Sequence, residues 1–145
     1  MPANTNPIYV LTPHIGWANT DGDGGTAGPL KTANTAKDGT GTVLTIFTAT
    51  TNGSFVREVR ARAAGTCTAS VLRLFVNNGS SQTTLGNNSL IDEVSLPSTT
   101  LSEISSLTPV ILPVNFALPN GYKLMVTLGT TVSAGYFISV VAGDY

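Results

Sequence analysis

Few residues in this chain have side chains suited to chemistry, and their spacing decides what each is for. His14 is the only histidine. No acidic residue or cysteine lies near it in sequence. A hydrolytic triad needs an imidazole to take a proton and a carboxylate to orient it, and no G-x-S-x-G elbow accompanies this histidine. Packing or hydrogen bonding is its expected role. Cys67, the only cysteine, sits in AGTCTAS. A reactive thiolate needs a helix N-terminus or a cation beside it, and strand-like surroundings supply neither. A small buried hydrophobe is expected there, and a lone cysteine makes no intrachain disulfide.

The acidic residues are no more specific. Asp21 and Asp23 in DGDGG have the oxygen ligands a hard cation takes. They lack the later acidic ligand of a calcium loop, so a turn is expected. Asp92, Glu93 and Glu103 share one stretch, but a glycosidase needs two carboxylates facing each other across a cleft. Solvated side chains are expected. Arg57, Arg60, Arg62 and Arg73 are all the arginine present. Arg60 and Arg62 fall on one face of a strand, and Arg73 is expected on a nearby one. The four are candidate polar contacts for a partner surface. No phosphate loop, C-x-x-C or H-E-x-x-H motif occurs. No catalytic residue, metal site or cofactor is expected, and the chain does not read as an enzyme.

The elements that must position these residues are strands. Of 145 residues, 22 are Thr, 11 Asn and 12 Ser, while charged residues make up only 10%. Thr favours a pleated, half-buried surface, and Asn and Ser favour turns. The helix-surface formers are scarce. Strand signals run over residues 42–49, 55–63, 68–76, 89–96, 108–118, 122–128 and 136–142. Asn52-Gly53 between the first two reads as a hairpin with a type I′ turn. Over 55–63 the odd positions are apolar except Arg57, a two-residue period. Pro113 marks a bulge or an edge strand. Only 99–106 reads as a helical turn. Strands and turns at this spacing predict a single antiparallel β-sandwich or barrel of about eight strands.

The chain divides into an extended N-terminal arm over 1–20, a Gly-rich linker over 21–29 and one β domain over 30–145. Pro7 and Pro13 interrupt the arm, so an extended strand lying on the body or on a neighbour is expected. Net charge is −1, which argues against nucleic acid as a partner. No apolar run approaches the ~18 residues of a membrane span. The start, MPANTNPIYV, has no basic or apolar leader region, and synthesis in a cytoplasm is expected.

Three blocks, NPIYVLTPHIGWANT, KTANTAKDGTGTV and GYKLMVTLGTTVSAGYFISVVAGDY, resemble the head decoration, or cement, proteins of tailed bacteriophages. The resemblance covers most of the chain. It implies a jelly-roll-like sandwich, a homotrimer on the capsid surface at local three-fold positions, and the major capsid protein as partner. It carries no catalytic residues. On this reading Ile8, Tyr9, Val10, Leu11, Ile15 and Trp17 of the arm contact the shell or a neighbouring subunit. The competing expectation is a receptor- or carbohydrate-binding module of a tail or fibre. That module would use Tyr9, Trp17, Tyr122 and Tyr136 as platforms, or the Asp21/Asp23 loop.

Overall fold

The computed structural model describes residues 10–17 and 28–145. Asp21, Asp23, Ile8 and Tyr9 lie outside the described residues. Eight strands follow in chain order: β1 Thr12–Trp17, β2 Leu44–Thr48, β3 Ser54–Ala63, β4 Ser70–Asn77, β5 Asn88–Leu96, β6 Val110–Leu118, β7 Lys123–Leu128 and β8 Tyr136–Asp144. They form two antiparallel four-stranded sheets, ordered β1-β8-β3-β6 and β2-β7-β4-β5. The pairs β1 with β8, β2 with β7, β3 with β6 and β4 with β5 are those of one long hairpin. Rolling it up adds β3 with β8 and β4 with β7. That is jelly-roll topology.

The core lies between the sheets. Val59, Leu72, Leu74, Leu124, Val126 and Val140 are each at most 1% exposed. Burying an aliphatic side chain of this size contributes about 1.5–3 kcal/mol. Tyr136 is also buried, with its hydroxyl donating to the Pro97 carbonyl at 3.1 Å. It is no sugar platform, and Tyr122 is half-buried against the core.

Arg57, the exception to the alternation, is a bulge residue. Both neighbours of β3 skip it between Val56 and Glu58. The buried set is Ser54 and Val56 before the bulge and Val59, Ala61 and Ala63 after it. One extra residue reverses which parity faces inward. On β6, Pro113 sits on an edge strand and near a second irregularity, where Asn115 takes φ +51°.

Two local expectations fail. The Asn52-Gly53 turn joins strands of different sheets, since β2 pairs with β7 and β3 with β6 and β8. Only Gly53 has a positive φ there, +82°, and the turn closes through Gly53 N–H to the Thr50 carbonyl. Without two positive φ values the flanking strands splay and do not pair. Residues 99–106 are not helical. Thr99 and Cys67 exchange backbone hydrogen bonds, and Leu101 N–H donates to Thr66 Oγ1. Those bonds commit the backbone to the segment at Thr66 and Cys67.

The arm, set apart over 1–20, takes the body where it is described. Its residues 12–17 form the edge strand β1 along β8. Gly143 makes this approach possible, because a Cβ there would collide with Val10 Cγ1 and lie 3.0 Å from the Thr12 carbonyl oxygen. After the linker, Leu30 bridges to Tyr136 and the chain turns over the other sheet. Asn34, 2% exposed, holds that turn: its amide donates to the Thr40 and Thr42 carbonyls and accepts from Ala36 and Lys37 N–H.

Candidate functional site

The two outer sheet faces differ. On β2-β7-β4-β5, Phe75, Met125 and Thr127 point outward yet are at most 1% exposed. The loop over 34–42 lies here, with Gly39 against Phe75 and Asn88. On β1-β8-β3-β6 the outward residues stay in contact with water. Cross-strand register sets them in rows: Trp17, Ser139, Arg60 and Ile111 form one, and Ile15, Val141, Glu58 and Pro113 the next. Arg62 stands opposite Phe137. Ile15 is 59% exposed, Trp17 43%, Ile111 48% and Phe137 56%. Val10 and Leu11, just before β1, are also exposed. A solvated sheet face normally carries polar residues, so grouped large apolar side chains mark a contact surface.

Three of the four arginines share this face. Glu58 lies beneath two of them, paired with Arg60 and 3.8 Å from Arg57 Nε. Arg62 reaches the Leu107 carbonyl at 3.4 Å. A shallow depression of about 340 Å³ opens between Arg60, Arg62, Ile111 and Phe137. Arg73 is not part of it. It lies on β4 in the opposite sheet, where its Nε meets Glu93 at 3.3 Å. Sequence patterning brought Arg60 and Arg62 together correctly. It missed Phe137 and Ile111, which alternation within β8 and β6 assigns to the outer face once their buried neighbours are known.

His14 has an acidic partner after all. It faces inward between the sheets, its Nε2 2.7 Å from Asp144 Oδ2 and its ring 6.0 Å from that of Phe47. Asp144 Oδ1 accepts from Ser54 Oγ. Burial pushes the Asp144 carboxyl up. Hydrogen bonds from Ser54, Thr50 and His14 outweigh that and hold it below the usual carboxylate range. The carboxylate stands between serine and histidine, so Ser54 cannot pass its proton to the imidazole as a nucleophilic triad requires. This cluster ties the first strand to the last.

Cys67 is buried, its Sγ 3.4 Å from the Gly135 carbonyl oxygen. Asp92 and Glu93 lie exposed on β5 and Glu103 in the loop after it. Among the described residues no three His, Cys, Asp or Glu side chains gather as a metal site. Fold and surface together define a jelly-roll sandwich with one apolar, arginine-bearing outer face. The chain matches no protein-family model and no curated protein.

Proposed function

We propose that this protein is a structural subunit of a virion. It decorates and stabilises the capsid of a tailed bacteriophage as a surface homotrimer, with the major capsid protein and its own copies as partners. The observation that carries this reading is the apolar flank of β1. Val10, Leu11, Ile15 and Trp17 are 40–77% exposed while the strand itself is fixed by pairing to β8. Pairing to β8 already fixes the strand backbone, so binding needs no further backbone ordering there, which favours it. Each of these side chains is already partly buried, so contact with a shell gains less than the roughly 1.5–3 kcal/mol of a full burial. The resemblance of the three sequence blocks to head decoration proteins supports the virion setting. Synthesis in the host cytoplasm followed by assembly on the capsid surface completes the reading, which needs no cofactor, nucleic acid or membrane.

The test is occupancy on purified shells lacking the protein, read by co-sedimentation. Trp17→Asp combined with Ile15→Asp, with folding checked by circular dichroism, is expected to lower occupancy at least ~10-fold. Undiminished occupancy sinks the proposed contact.

One observation favours the second reading, a receptor- or carbohydrate-binding module. Phe137 borders the depression that also holds Arg60, Arg62 and Ser139, and an exposed ring beside hydrogen-bond donors suits an acidic sugar. Glycan-array binding that disappears in Phe137→Ala would favour this reading over decoration.

A further inference from the structure

The β6 side of the arginine-bearing face and the β5 edge are opposite in charge and alike in apolar content. The face carries Arg57, Arg60 and Arg62 against Glu58, a formal +2, beside Ile111 and Phe137. Strand β5 carries Asp92 and Glu93 beside Arg73, a formal −1. Leu90 is 48% exposed and Ile91 45% exposed on the same strand. One carboxylate cannot neutralise both Arg57 and Arg60, so the face keeps two positive charges in excess and the β5 edge one negative. Arg57 and Arg60 sit on Glu58, and among the described residues Arg62 meets the Leu107 carbonyl and no carboxylate. Glu93 sits on Arg73, and among the described residues Asp92 accepts the adjacent Glu93 N–H and meets no cation.

Among the described residues, strand β5 is also an edge, hydrogen-bonded to β4 alone. Long edges are normally blunted by Lys, Pro or a covering segment. This one, Asn88–Leu96, has no Lys or Pro; a bulge at Ile91 and the charges of Asp92 and Glu93 interrupt it, so a partner meets it through side chains and not as an added strand.

We infer that the β6 side of the face seats a second copy of this chain, which docks with its β5 edge so that Arg62 and Phe137 meet Asp92 and Ile91. This rests on the proposed reading as a self-assembling subunit and names the contact within it. Face-to-face docking would set arginines of two copies against each other, so the contact is heterologous. Repeated head to tail with a third of a turn between copies, such contacts close into a three-fold ring built from two different patches. Complementary charge fixes the register, while the central apolar residues hold the contact.

The experiment is solution mass by light scattering after size exclusion, with circular dichroism as the folding control. The unaltered chain is expected near three times 14.9 kDa. Arg62→Glu and Asp92→Arg, made singly, are each expected to weaken association at least ~10-fold, and combining them in one chain is expected to restore it. A second arm avoids charge reversal. Phe137→Asp and Ile91→Asp chains, each monomeric alone, are expected to form a one-to-one dimer when mixed, because each retains one intact patch.

Unchanged mass in the single variants, failure of the double variant to recover, or no dimer on mixing overturns this contact. So does an unaltered chain that is monomeric at ~100 μM. If that monomer still occupies shells, the decoration reading stands and only the contact between copies falls. If it does not, both fall.

Discussion

His14 and Asp144 are 130 positions apart in the chain and 2.7 Å apart in the fold. Their contact joins the first strand to the last, and Ser54 at the start of β3 holds the other carboxylate oxygen. Three strands of one sheet therefore meet at a single carboxylate.

Asp144→Asn keeps the shape and removes the charge. Hydrogen bonds to a charged group contribute about 1.5–3 kcal/mol, and a loss within that range is expected in urea unfolding. The pH dependence follows from the lowered pKa of Asp144. A carboxyl more acidic folded than unfolded stabilises the fold above its ordinary pKa. That contribution fades as pH falls through the ordinary range and is gone below the folded value. The stability difference between the unaltered chain and Asp144→Asn should therefore shrink on acidification below about pH 4. A difference constant from pH 7 to pH 3 would contradict this account of the cluster.

Phe47 is fully buried and packs against the His14 ring. Phe47→Ala is expected to cost about 3–5 kcal/mol in chemical denaturation. A loss below ~1 kcal/mol would mean that this end of the sandwich collapses around the cavity.

Gly53 takes φ +82° at the corner between the sheets, where a Cβ would stand 2.9 Å from the Leu118 carbonyl oxygen. Gly53→Ala is expected to destabilise by more than ~1 kcal/mol. Gly86, with nothing within 4 Å of a Cβ, is the matched control, and Gly86→Ala should change stability by less than ~0.5 kcal/mol. Equal effects at both positions would refute the steric argument.

The strands were legible because alternation and turn residues act over a few positions. Tyr122, Leu124, Val126 and Leu128 alternate in the sequence as one strand face; the last three are buried on β7 and Tyr122, just before it, packs against the same core. What escaped depends on partners distant in sequence. The Thr51-Asn52-Gly53 turn has the residues of a hairpin, but whether its strands pair is decided by β6, β7 and β8. Arg57 breaks the alternation of β3, which registers a bulge without saying that the inward parity flips there. Arg73 has the same strand-like surroundings as Arg60 and Arg62, and only sheet topology sends it to the other layer. The candidate face was half legible for the same reason. Its arginines lie on one strand, while Trp17, Ile111 and Phe137 come from three others.

The proposed attachment to a capsid is measured most directly by saturation binding of labelled full-length protein to shells stripped of auxiliary proteins. The account predicts saturable binding in multiples of three per local three-fold position, with shells that resist heat better once occupied. Shells that remain undecorated at saturating protein, with unchanged melting, would contradict it.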